Sequence, residues 1–189
     1  MTVRIFVSVP VPPAPAVRQA MRELSEVPKV RVPPADTVHA TLRFVGEIPE
    51  MMVGRVCRCA REAGAGTAPF RIKMRGTGAF PDGRRPRVVW IGMDSAGRLE
   101  RIAADLSSAF DTAGIPYDRK EFRPHVTIGR VSGQADLSGF LERNGGRRFA
   151  EFECRGMKVM RSDRGPWGVV HRTVEDIPLG GPTEADGPR

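Results

Sequence analysis

One order of hydrophobic periodicities runs twice through this 189-residue chain: strand, helix, strand, helix, strand, strand. A His-x-Thr tripeptide marks the same strand in both copies, as "HATLRFVG" from His39 to Gly46 and "HVTIGR" from His125 to Arg130. The offsets agree, with 86 residues between the two histidines and 84 between the strand starts at Val3 and Arg87. A duplication of this length predicts two similar lobes related by a pseudo-twofold axis, each an antiparallel sheet with helices on its outer side. Such an axis sets the two His-x-Thr strands face to face. The expected fold class is therefore α+β: a bilobal duplication in which two antiparallel sheets line a central cleft and the helices lie outside. Residues 1–178 are expected to form this single domain, with interleaved lobes that each hold one His-x-Thr motif. Residues 179–189 lack periodicity and apolar mass and read as a disordered tail.

The first strand, about 3–9, is read from the alternation of Val3, Ile5, Val7 and Val9. Its arginine and short apolar run imitate a signal peptide, but the run stops at Pro10. A helix marked by prolines follows at 14–26, then the strand "TVHATLRFVG" ended by Gly46 and Pro49, then a helix over 50–63. "FRIKMRGTGAF" and "RVVWIGM" read as strands joined by "PDGRRPR", the second closing the first copy and opening the next. The second copy continues with a helix in "SAGRLERIAADLSSAFDTAG", the strand "HVTIGRV" and a short helix near 136–143. It ends in a strand pair at 149–161 and 167–175 that turns at "DRGPWG".

Alternate side chains of a strand share a face. That rule puts His39, Thr41 and Arg43 on one face and Ala40, Leu42 and Phe44 in the core. In the second copy His125 and Thr127 share a face, and Arg130 falls off it unless Gly129 introduces a bulge. Two opposed histidines, each with a hydroxyl donor, suit in-line displacement at phosphorus without a metal. One imidazole takes a proton from the attacking water while the other protonates the departing oxygen. The threonine hydroxyls would donate to the non-bridging oxygens, with arginine adding positive charge. A third tripeptide, "HRT" at His171 to Thr173, competes for the same role. Its intervening Arg172 would have to face the core, which is costly for an unpaired charge, so His171 is expected to be structural or at the surface.

The formal charge of +8 and the pI near 10.4 make polyanions, nucleic acid above all, the expected partner class. Only four of the thirty basic residues are lysines. That bias favours bidentate phosphate contacts, and equally matches a GC-rich coding bias. There is no apolar run long enough to cross a membrane, and three cysteines make neither a disulfide framework nor a zinc spacing. The expectation is a cytoplasmic protein with reduced packing cysteines, no bound metal and no cofactor.

"VRVPPADTVHATLRFVGEI", "FRPHVTIGRV" and "SDRGPWGVVHRT" together resemble the RNA 2′,3′-cyclic phosphodiesterases, or 2′-5′ RNA ligases, of the two-histidine phosphoesterase superfamily. The resemblance runs from the first strand to about Leu179. It implies metal-independent hydrolysis of RNA 2′,3′-cyclic phosphate ends to 2′-phosphomonoesters, with reverse 2′-5′ end joining. By motif matching His39 and His125 are the catalytic pair. Because the product keeps its phosphate on O2′ the acid must sit beside O3′, and by analogy His39 takes that role and His125 that of the base. Thr41 and Thr127 then hold the phosphate, and Arg130 falls where the second family motif carries an arginine. Arg43 joins the phosphate-binding candidates from its place on the face of His39 and Thr41. Substrates expected on this basis are RNA with cyclic phosphate ends, including tRNA fragments, and nucleotides; the protein is expected to act as a monomer away from membranes. Val45, Val32 and the Ile128–Gly129 pair depart from the family pattern without removing a chemical group. Phe80 is a candidate for stacking a terminal base or a plain core residue, and Arg84, Arg85 and Arg87 could steer RNA or simply be solvated. Two other readings stay open: an RNA-end binding module without catalysis, and a relative acting on another cyclic phosphodiester.

Overall fold

A computed structural model describes residues 1–165 and 168–180. Pro166 and Trp167 of the expected "DRGPWG" turn, and residues 181–189 of the expected tail, lie outside the described residues. The strands are β1 (Thr2–Pro10), β2 (Val30–Arg31), β3 (His39–Pro49), β4 (Phe70–Phe80), β5 (Val88–Asp94), β6 (His125–Val131), β7 (Arg148–Cys154), β8 (Gly156–Gly165) and β9 (Gly168–Pro178). The α-helices are α1 (Pro15–Ser25), α2 (Val53–Ala65), α3 (Arg98–Ala113) and α4 (Ser138–Asn144).

The strands form two antiparallel sheets, in the orders β3-β1-β8-β9 and β2-β6-β5-β4-β7. This is the α+β duplication expected, with one refinement that the periodicity could not contain. After its second helix each copy crosses to the other sheet: β4 pairs with β5, and β8 returns to pair with β1. The helices cross as well. Val17, Ala20, Met21 and Leu24 make a buried stripe on α1 at helical spacing, and Leu24 of that stripe meets Gly129 on β6 of the second sheet. The stripe of α3, built on Leu99, Ile102, Leu106 and Phe110, covers the first sheet together with α2. Each sheet is therefore sealed by helices from both halves of the chain.

Two boundaries differ from expectation. The single strand expected over 149–161 breaks at Arg155, so that β7 edges the second sheet while β8 enters the first. The buried parity changes at the break, from Cys154 on one side to Met157 and Val159 on the other, as the chain passes between sheets. The ordered chain also extends past 178, because Leu179 is buried and its N–H donates to the Arg155 carbonyl at 2.9 Å. Cys57, Cys59 and Cys154 are free and buried, and burial pushes the Cys57 and Cys154 thiols up to about 11. No helix among the described residues is long and apolar enough to cross a membrane.

A tight seam between α1 and its sheet lies at Gly129, where a Cβ would stand 2.8 Å from Leu24 Cδ2 and 3.1 Å from Val30 Cγ1. Gly129→Ala is expected to lower unfolding free energy by about 1–3 kcal/mol through overpacking, measured by denaturant melts.

Candidate active site

Between the sheets lies a cleft of about 640 Å³, and both His-x-Thr strands contribute to its wall. β3 presents His39 and Thr41, while β6 presents His125, Thr127 and Arg130. The composition of that wall depends on an extra residue at matched places in the two strands, beside a second irregularity at Val45 of β3. Along β1 the partners run Val7 to Arg43 and Ser8 to Thr41, which leaves Leu42 as a bulge. Along β5 they run Val89 to Gly129 and Trp90 to Thr127, which leaves Ile128 as a bulge. The two bulges are 86 residues apart, at equivalent places in the duplication. A bulge reverses side-chain parity beyond it. Gly129 therefore turns toward α1, and Arg130 returns to the face of His125 and Thr127.

The same geometry overturns the expectation for Arg43. Its guanidinium leaves the cleft, donating from Nε to Ser107 Oγ on α3 at 2.7 Å and lying beside the rings of Tyr117 and Phe122. Phe44 takes its place in the cleft and stacks on Phe6, centroids 5.5 Å apart. Phe44 and Arg130 are thus the counterparts in the two lobes, one aromatic and one cationic.

Each histidine is anchored through Nδ1 to the carbonyl two residues before it. His39 donates to Thr37 O at 2.8 Å and His125 to Arg123 O at 2.5 Å. This bond assigns the proton to Nδ1 and leaves Nε2 free to exchange a proton with a ligand. Burial is the largest influence on both rings and holds each below the usual imidazole value. For His39 the anchoring bond opposes the shift and the charge of Arg130 adds to it; for His125 the anchoring bond opposes it. His39 stacks on Phe6 at 5.1 Å, and His125 meets the ring of Phe80 edge-on at 5.0 Å. Phe80 also packs on Trp90 at 5.3 Å and is not among the residues lining the cleft. Its observed contacts are with the His125 side chain and Trp90, which does not favour the base-stacking role.

His171 is inside the cleft, contrary to expectation. It meets His39 edge-to-face at 5.3 Å and shares a 3.0 Å hydrogen bond between Nδ1 and Ser162 Oγ. Arg172 escapes the burial cost expected of it because it faces solvent, its side chain 74% exposed near Asp163. Sequence reasoning also missed Phe6, Arg4, Arg161, Ser162 and Arg164, all of which line the cleft. Three of these carried a signal: Phe6 is an aromatic at the polar parity of β1, and Ser162 and Arg164 stand in "SDRGPWGVVHRT" with His171. Arg84, Arg85 and Arg87 are exposed on the β4–β5 loop and do not line the cleft.

Arg4, Arg130, Arg161 and Arg164 outnumber the cleft carboxylates Glu47 and Asp163, and Arg161 already holds Asp163 at 2.7 Å. The cleft is therefore electropositive and suits an anion. Among the described residues no group of three or more His, Cys, Asp or Glu side chains is arranged to hold a metal ion.

The fold is that of TT0787 of Thermus thermophilus, with a TM-score of 0.81 and 28% identity over 94% of this chain and 98% of that one. It is shared by E. coli LigT in its apo form, with a TM-score of 0.72 and 19% identity over 94% and 98% of the two chains. These define a two-lobed, LigT-like α+β protein. The family model of the 2′-5′ RNA ligase superfamily matches residues 9–166, and the chain belongs to that superfamily. It is 33% identical over 112 residues to the RNA 2′,3′-cyclic phosphodiesterase of Aeropyrum pernix, covering 57% of this chain and 64% of that protein. It is 37% identical over 117 residues to the RNA 2′,3′-cyclic phosphodiesterase of Aquifex aeolicus, covering 60% and 62%. The matched span is thus less than two thirds of the length of these relatives.

With only three histidines in the chain, imidazole NMR can follow each ring. His39 and His125 are expected to titrate below 6.5 in the free protein and to move upward when inorganic phosphate occupies the cleft. Because the unfolded chain protonates first, these rings make the fold lose stability as pH falls through 6.5 toward their folded values.

Proposed function

We propose that this chain hydrolyses RNA 2′,3′-cyclic phosphate ends to 2′-phosphomonoesters. The observation that carries the reading is the matched anchoring of His39 and His125, which frees one Nε2 on each lobe of a single electropositive cleft. Its membership of the superfamily and the names of its relatives support it.

In this mechanism neutral His125 takes a proton from water as the water oxygen bonds to phosphorus. The bond from phosphorus to O3′ breaks, and His39 in its protonated form delivers a proton to O3′. The phosphate stays on O2′. Thr41 and Thr127 donate to the non-bridging oxygens, and Arg130 opposes the charge that builds there. The anionic substrate raises the pKa of both rings, which lets one of them carry the proton that burial denies it in the empty cleft. A 5′-hydroxyl in place of water gives a 2′-5′ linkage by the same steps, so 2′-5′ end joining belongs to the same site. Residues 1–178 act as one bilobal unit in this reading, monomeric and cytoplasmic, taking cyclic-phosphate RNA such as tRNA fragments, or nucleotides. The chemistry needs no metal or cofactor, because the two imidazoles perform both proton transfers.

Turnover of a 2′,3′-cyclic-phosphate oligonucleotide to a 2′-phosphate tests the proposal. His39→Ala and His125→Ala are each expected to lower kcat by about 10²- to 10⁴-fold, and EDTA to leave it unchanged. Salt-dependent binding without turnover would instead favour an RNA-end binding module. Arg130→Gln is expected to cost about 10²-fold in kcat/KM. Arg43→Gln should leave kcat/KM near the wild-type value while lowering Tm, since Arg43 packs on α3.

A further inference from the structure

Three rings stand in mutual contact at one end of the cleft. Phe6 stacks on His39 at 5.1 Å and meets His171 at 5.0 Å, and His171 meets His39 at 5.3 Å with the planes at 87°. The other lobe repeats the contact with different chemistry. There His125 receives the edge-to-face contact, at 5.0 Å and 84°, from Phe80, while Trp90 lies 6.5 Å away. A ring hydrogen bonded only through Nδ1 can still tilt about that bond. The stacked face of Phe6 and the edge contact of His171 remove that freedom, and Ser162 Oγ holds His171 in turn. In the second lobe a phenylalanine supplies the same edge contact, so the contact itself does not need a titratable group.

We infer that His171 is a positioning residue for His39, holding its ring as Phe80 holds that of His125, and that in the substrate-free cleft the pair accepts a second proton only with difficulty. The kinetic part of this inference rests on the phosphodiesterase reading. The groups around the pair support the second part. Arg4 of β1, Arg164 of β8, and Arg130 and His125 of β6 line the same cleft, all cationic or able to become so, and the charge of Arg130 acts on His39. Of the facing carboxylates, Asp163 on β8 is held by Arg161 and Arg172, and Glu47 on β3 lies opposite Arg4 in the strand register. Neither carboxylate hydrogen bonds or ion-pairs with His39 or His171, whose side-chain hydrogen bonds go to the Thr37 carbonyl and Ser162 Oγ. Burial, followed by the charge of His39, holds His171 below the usual imidazole value.

The test compares His171→Ala with His171→Phe. Loss of positioning in His171→Ala should lower kcat about 10- to 100-fold with KM nearly unchanged. His171→Phe, which copies Phe80, should restore kcat. Equal loss in both variants, or a raised KM in His171→Phe, would mean that His171 touches substrate or carries a proton, and overturns positioning. Wild-type kcat in His171→Ala overturns it too. The proton coupling is read without substrate: imidazole NMR should show the His171 pKa rising in His39→Gln, and an unmoved His171 refutes the coupling. The His39 ring resonances of the substrate-free protein should shift in His171→Ala and stay near wild type in His171→Phe. That last measurement holds even if the wild-type protein turns over no cyclic phosphate, so failure of the positioning role and failure of the proposed function are distinguishable.

Discussion

The exchange of strands between the two halves of the chain is the constraint on which the cleft depends. β8 adds to β1 and β4 adds to β5, so each sheet contains strands from both copies, and each is covered by helices from both. A simple pair of tethered lobes could rock about its linker. Here moving one copy of the chain against the other would break the β1–β8 and β4–β5 ladders and open the seams at Leu24 with Gly129 and at Gly64 with Met157. The two His-x-Thr strands, in different sheets, are tied together by chain that crosses between the sheets and by direct contact of β3 with β6. Chemistry that needs two proton-transfer groups on opposite sides of one phosphorus requires that kind of rigidity.

Within that frame, backbone irregularity selects the side chains that reach the cleft. The bulges at Leu42 and Ile128 are matched in position but not in consequence. In one lobe the displaced residue is Arg43, which binds Ser107 outside the cleft; in the other it is Gly129, whose lack of a side chain lets α1 close on β6. The residues that reach the cleft are Phe44 and Arg130. A symmetric fold thereby acquires unlike walls: the first sheet supplies Phe6, Phe44 and His171 together with Arg4, Arg161 and Arg164, and the second supplies Arg130.

Much of this was legible in the residues themselves. The alternation of Val3, Ile5, Val7 and Val9 and the stripe of α1 follow from burial of one face, which any sheet or helix must satisfy. His39, Thr41, His125 and Thr127 could be placed together because the spacing of two survives any partner. Arg43 and His171 were misplaced for a common reason: strand neighbours, which the residues alone do not reveal, decide what each face meets. Parity holds only while the ladder is regular, and a bulge depends on the register with a neighbouring strand. Arg172 was judged against a covered sheet, whereas at its position on the edge strand β9 the charge meets solvent.

By itself, the sequence determined the α+β duplication, the two His-x-Thr strands and the positive charge of the molecule. Those properties reside in local periodicity and composition, which the chain carries before it folds. The tertiary structure alone decided which sheet each strand joins, that Arg130 and not Arg43 faces the cleft, and that the third histidine leans on the first. Each of these is set by pairing between residues distant in sequence, where a shift of one position exchanges the two faces of a strand.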